Sequence, residues 1–221
     1  MDDTFAAYAV TRARMSALFL DASDDELARV VPACPAWTVH DLAAHVVSIP
    51  AALSVGQLPT GDVGEWIQAL VDARRDDSVT SMVDEWHGLD EPLAAILSGP
   101  GGLLYADVAV HEHDARGALD RPDHTALEVD VILPRAVAAF ADPLRDAGLG
   151  AIAVRDGARR WQSHDAEPGW TLLVDPWEAV RALNSRRTEE ELLVLPAEGD
   201  ARPYVEILDA HLPLPVRSLG E

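Results

Sequence analysis

A carboxylate inside an apolar helix is the first residue in this sequence that demands a chemical explanation. The segment LLYADVAV, residues 103–110, is apolar on nearly every side except at Asp107, the pattern of a helix buried all round. An unpaired charge there costs on the order of several kcal/mol, so Asp107 needs a cation, hydrogen-bond donors or a metal. His111 follows four residues later on the same helical face, and Asp114 three beyond that, so the three make one polar row. A carboxylate and an imidazole at i and i+4 offer a divalent ion two donors without distorting the helix. A third donor must come from elsewhere, and His45 is the best placed: it follows Leu42 by three residues and precedes Ile49 by four, on the apolar face of its own helix. His113 points away from His111, and His40 lies about 140° around the helix from His45 at ~100° per residue. Neither shares the site. On spacing alone the commoner readings are a hydrogen-bonded core histidine and an Asp107–His111 ion pair.

These residues need helices to hold them, and the pattern supplies several. Phe5, Tyr8, Met15, Leu18 and Phe19 recur at helical spacing over 4–20, and Ser23 with Glu26 forms a capping box for a short helix ending near Val31. VPACPAWT carries two prolines three residues apart and reads as a rigid loop. Thr38 with Asp41 restarts a helix that bears His45 and runs to Pro50. Helical patterns follow at 60–75 and 78–97. SGPGG breaks the second, and the Asp107 helix spans 103 to about 119. A last helix occupies roughly 127–146, kinked at Pro134. After Gly150 the texture changes. AIAVRDGARRWQ alternates around a DG turn, GWTLLV is a second strand candidate, and DPWEAVRALNS and DARPYVEILDAHL are helical. The fold class expected is mainly α: a bundle over 1–147 and a small α/β domain over 150–221.

Composition narrows the partners. The chain has 221 residues, and its 38 acidic against 17 basic side chains give a formal net charge of −21, which repels phosphate backbones and anionic lipid. Nucleic acid and membrane are therefore not expected as partners. All 17 basic residues are arginine, a coding bias before it is a function. No apolar run is long enough to span a bilayer, and MDDTFAAYAVTRAR has neither the basic start nor the apolar stretch of a signal peptide, so a cytoplasmic protein, monomer or homodimer, is expected. The single cysteine, Cys34, excludes an internal disulfide and a cysteine-based zinc knuckle. It lies in the proline loop with no basic neighbour and reads as a packing residue. Any metal binds through nitrogen and oxygen.

Together, VPACPAWTVHDLAAHV and VHEHDARGALDRP some 60 residues later resemble the mycothiol-dependent maleylpyruvate isomerase family, a branch of the DinB-like metal-binding helix bundles. SRRTEEE and GDARPYVEIL are similar to that family's small second domain. The resemblance implies a DinB-like up-down four-helix bundle. It implies a Pro-x-Trp loop, matched by Pro35 and Trp37, before a helix whose His45 ligates the metal, and a later helix giving Asp107 and His111 as the other ligands. The acidic ligand is commonly Glu in the family, so Asp107 is one methylene shorter. The family also uses an arginine of the second domain on its dianionic substrate. Arg186, Arg187 and Arg202 are available; spacing does not choose among them, and the binding candidates are Trp37 and Arg187.

Three protein ligands leave a tetrahedral ion one open position, the mark of a catalytic zinc. In the enzymes resembled, that position takes the sulfur of mycothiol, whose thiolate adds to an activated double bond. Loss of the thiol after rotation gives isomerisation, and its retention gives S-transfer. The expected cofactors are Zn2+ and mycothiol, and the partners a small thiol and an electrophile. Asp114 and Arg116 are the catalytic candidates, although Arg116 more simply neutralises Asp114 in a salt bridge. Two alternatives stand beside this: a metal-dependent hydrolase with Asp114 as base, and a non-catalytic metal-binding regulatory bundle.

Overall fold

The computed structural model describes residues 3–98, 103–121 and 129–220. The chain divides into two compact units, Met1–Thr125 and Ala126–Glu221. The first contains α1 (Asp3–Leu20), α2 (Asp24–Leu27), β1 (Val30–Val31), β2 (Cys34–Thr38), α3 (Val39–Ser54), α4 (Val63–Asp72), α5 (Val79–His87), α6 (Asp90–Leu97) and α7 (Leu103–Ala118). α1 packs on α7, and α3 packs on α4, α5 and α7. The core between them is sealed by Tyr8, Phe19, Leu42, Met82, Trp86 and Tyr105, all essentially inaccessible. Two hydrogen bonds run through it: Trp86 Nε1 donates to Tyr8 Oη at 2.7 Å, and an Arg12 Nη donates to the Trp86 carbonyl at 3.0 Å. This is the mainly helical bundle read from the sequence.

The second unit contains α8 (Val129–Ala138), α9 (Ala141–Asp146), β3 (Ala151–Asp156), β4 (Arg159–Gln162), β5 (Pro168–Leu172), α10 (Pro176–Leu183), α11 (Glu189–Val194), β6 (Ala197–Gly199) and α12 (Arg202–His211). Its sheet runs β4-β3-β5-β6, antiparallel except for the β3–β5 pair. Gly157, at φ +58°, turns the β3–β4 hairpin in the left-handed region, where glycine carries no Cβ penalty.

The structure differs from the sequence reading at several joints, each with a local cause. α8 packs on α10 and β4, and α9 on α12, so the units divide before α8 rather than near residue 147. The proline loop is a hairpin: β2 pairs with β1 through Val31–Cys34 and Val30–Thr38. α3 continues one turn past Pro50: the ring removes one intrahelical hydrogen bond and crowds the carbonyl one turn back, a local cost that burial of Val46, Val47 and Ala52 on the same helix offsets. The pattern at 78–97 is two helices broken at Gly88 and Leu89, and that at 127–146 breaks between Ala138 and Ala141, with Pro134 inside α8. α11 and β6 were absent from the strand-and-helix pattern, being six and three residues long. Residues 99–102 of the SGPGG break and the start expected at 127 lie outside the described residues.

The capping box at Thr38 joins β2 to α3. Its hydroxyl accepts from Asp41 N, while the Asp41 carboxylate takes the Thr38 N–H at 2.9 Å and O–H at 2.7 Å. Thr38→Ala should cost about 1 kcal/mol, read as a lower melting temperature with the helical circular dichroism retained.

Candidate metal centre

Two helices and a hairpin converge on the site. α3 places His45 just under two turns beyond its cap, and α7 carries Asp107 and His111 one turn apart on a common face. The two imidazole centroids lie 4.8 Å apart, ring edge to face at 83°. His45 Nε2 is 3.4 Å from Asp107 Oδ2, and His111 Nε2 is 3.4 Å from Asp107 Oδ1. Donor atoms of the three residues all fall within 4.8 Å of one another. The histidine side chains are buried, whereas Asp107 keeps 33% of its side-chain surface accessible. The site is therefore walled by its nitrogens and open along one carboxylate edge.

The fit to a metal can be tested on this geometry. Ligand atoms about 2.1 Å from a tetrahedral ion stand ~3.4 Å from each other, the spacing that both Asp107–histidine pairs already have. Asp107 Oδ2 is shielded from solvent yet has no hydrogen-bond partner of good geometry, a situation buried carboxylates avoid unless a cation completes them. The donor set of two nitrogens and a carboxylate suits zinc and its neighbours.

Behind the site, Asp114 Oδ2 lies 3.0 Å from His111 Nδ1, with its side chain fully enclosed. A carboxylate accepts, so Nδ1 carries a proton, and it is Nε2, on the Asp107 side, that can lose its proton and offer a lone pair to a metal. Cys34 comes close to the same ring: Cys34, His111 and Asp114 bring donor atoms within 4.8 Å of one another. Sequence reading had given Cys34 only a packing role, because the hairpin that swings it onto α7 has no periodic signal in five residues. Trp37 from the same strand covers the front, with its ring centroid 4.7 Å from that of His45 and 6.4 Å from that of His111.

Electrostatics tie the three groups together. Burial pushes the Asp107 carboxyl upward, but the charges of His45 and His111 outweigh it and hold it well below the usual carboxylate range. Burial pushes His111 down; the Asp107 charge and hydrogen bonds with Asp107 and Asp114 outweigh that and raise it well above 6.5. Without a metal the pair is an ion pair, and a proton and a metal compete for the same Nε2.

The remaining candidates fall elsewhere. Arg116 does not pair with Asp114. It donates to Glu112 Oε1 at 2.9 Å, one turn back on its own helix, and Arg14 of α1 holds the same carboxylate at 2.8 Å. The correction follows from spacing: i,i+4 neighbours share a helix face, whereas Asp114 and Arg116 at i,i+2 do not. Arg187, in the second unit, makes a two-point pair with Glu178 at 2.6 and 2.7 Å. Gln68, which the sequence did not single out, accepts from Trp37 Nε1 at 2.9 Å. Among the described residues, no helix is long and apolar enough to cross a membrane.

Comparison with known proteins adds a family context. Residues 8–101 match the family model described as the mycothiol maleylpyruvate isomerase N-terminal domain. The match includes Trp37 and His45 and ends just before α7. No curated protein matches the chain. A solved structure titled "Crystal structure of the mycothiol-dependent maleylpyruvate isomerase" aligns over 85% of this chain and 90% of its own, with a TM-score of 0.59 and 13% identity. At that identity the likeness is one of fold.

The raised His111 value has a consequence for the metal-free protein. A histidine whose folded value exceeds its unfolded 6.5 contributes stability that is complete below that pH and is lost as pH rises through the folded value. With chelator present, the melting temperature should therefore fall as pH is raised above neutrality. Added Zn2+ should flatten that slope, because the ion takes the proton's place on Nε2. An identical slope with and without Zn2+ would contradict the site.

Proposed function

We propose that this chain, whose residues 8–101 match the family model described as the mycothiol maleylpyruvate isomerase N-terminal domain, is a metal-dependent enzyme that uses a low-molecular-weight thiol, mycothiol, to isomerise or conjugate a small electrophile. His45, Asp107 and His111 would hold the ion, most simply Zn2+. The observation that carries this reading is the meeting of two imidazole nitrogens and one carboxylate at 3.4 Å spacing, beside a carboxylate edge open to solvent. A bound ion would supply thiolate at neutral pH by lowering the thiol's pKa.

The chain's own residues do the rest. Asp114 fixes the His111 tautomer and ring direction, a positioning role. Its enclosure argues against its serving as the proton acceptor of a hydrolase, since a base must reach the water it activates. Trp37 walls the front and keeps water from the thiolate. Arg116, shared with Arg14 on Glu112, acts in the α1–α7 strap rather than on substrate. Arg187 is the candidate for an anionic group on the electrophile, and to receive one it must exchange Glu178 for the ligand. Thiolate addition to an activated carbon–carbon double bond leaves a single bond free to rotate. Expulsion of the thiol then returns it unchanged with the isomerised product, whereas protonation of the adduct gives the conjugate.

The test joins metal content to turnover. Purified protein should contain close to one divalent ion per chain and consume an activated cis-alkene only when mycothiol is present. Thiol-independent, metal-dependent ester or amide cleavage would select the hydrolase instead, and metal binding without either activity would select a regulatory bundle. His111→Ala should remove most of the metal and abolish turnover while far-ultraviolet circular dichroism stays near wild type. Asp107, left without its partner, can then take up a proton. Full metal occupancy in that variant would mean the wrong ligand has been named.

A further inference from the structure

The indole that fronts the site is held from a different element. Trp37 Nε1 donates to Gln68 Oε1 at 2.9 Å; Gln68 Nε2 donates to Asp72 Oδ1 at 3.0 Å; Asp72 Oδ1 also accepts from Arg75 at 2.9 Å. The relay has a fixed sense. Reversing the Gln68 amide would set its N–H against the indole N–H and its carbonyl against the Asp72 carboxylate, so both ends specify one orientation. Gln68 and Asp72 stand at i,i+4 on α4, one turn apart on the same face. α4 thus reaches across to the β2 hairpin and ties down a single side chain, whose ring stands 4.7 Å from His45.

We propose that Gln68 is a positioning residue of the thiol site: through its hydrogen bond it holds the Trp37 indole over the two histidines and so sets the affinity for the thiol cosubstrate. This rests on the thiol-dependent reading given above. With its one donor already spent on Gln68, the indole offers a ligand only its π face. It therefore selects for an apolar or C–H-rich surface on the thiol and gives nothing to the reacting atoms. The latch acts by pre-organisation. An untethered indole must be immobilised again each time the thiol binds, which weakens binding without altering the bond-making groups.

Gln68→Leu keeps the side chain's bulk and removes the acceptor. It should raise KM for mycothiol about tenfold, the effect of one side chain newly immobilised on binding, while kcat at saturating thiol and the metal content stay within about twofold. The double variant Q68E/D72N restores an acceptor for the indole without placing two carboxylates together, and it should bring KM back toward wild type. A purely structural role for Gln68 would lower kcat, metal content and melting temperature together, with no rescue, and would overturn the proposal.

A second readout needs no turnover. Acrylamide quenching of tryptophan fluorescence should increase in Q68L relative to wild type, and that increase should vanish when both are compared in a W37F background, which retains the other five of the six tryptophans. Equal quenching in Q68L and wild type would overturn the latch itself. A confirmed latch in a protein without any thiol-dependent turnover would instead overturn the functional reading on which the affinity effect rests.

Discussion

The architecture of the first unit turns on one helix that carries two buried carboxylates, Glu112 and Asp114, and a half-buried one, Asp107. α7 points Asp107, Glu112 and Asp114 inward, and none of them could stay there without charge or donors brought by something else. Each is answered differently. Glu112 is clamped by Arg14 from α1 and Arg116 from α7 itself. Asp114 is taken by His111. Asp107 is met by His45 from α3 and His111 from α7, with one oxygen still lacking a good hydrogen bond. α7 therefore sits in the bundle only because α1 and α3 bring the matching groups, and the register of all three helices is fixed by polar chemistry as well as by apolar packing.

That arrangement separates structural from chemical use of buried charge. The Glu112 cluster contains more positive partners than negative ones and is satisfied within the chain, which makes it a strap. The Asp107 cluster relies on histidines, whose charge depends on pH and which give up a proton to a metal. Only the second can exchange its partner, and only the second has an accessible edge. The same helix thus carries a permanent pair and an exchangeable one a single turn apart.

Much of this was legible in the sequence because helical spacing is rigid. The i,i+4 relation of Asp107 and His111, and the apolar flanks of His45, follow from 3.6 residues per turn whatever the rest of the chain does. The Ser23 and Thr38 capping boxes were legible for the same reason, since each is complete within four residues. The misreadings fall where the outcome depends on distant parts of the chain. Pro50 reads as a helix end until packing on both sides is known, and the VPACPAWT loop reads as coil until β1 is there to pair with it. The unit boundary failed similarly: α8 and α9 look like continuations of a helical run, and only their contacts with the sheet and α12 assign them to the second unit. Cys34 and Gln68 join the site through side-chain contacts across 77 and 31 residues of chain, distances at which no local pattern operates.

The acidic character of the chain bears on why the site is built this way. At a net charge of −21, the protein as a whole repels anions and attracts cations, which favours loading a divalent ion but opposes an anionic electrophile. A cationic residue close to Asp107 would ease the second problem and worsen the first, because it would compete with the metal for the carboxylate. Among the described residues of the first unit, Arg14 and Arg116 are committed to Glu112, Arg121 to Asp21 and Glu26, and Arg29 to Asp120, while the groups that face Asp107 are imidazoles that can be neutral. Keeping fixed positive charge off Asp107 while surrounding it with neutralisable nitrogen leaves the carboxylate available to a metal and confines any recognition of a negative substrate to residues outside the ligand set.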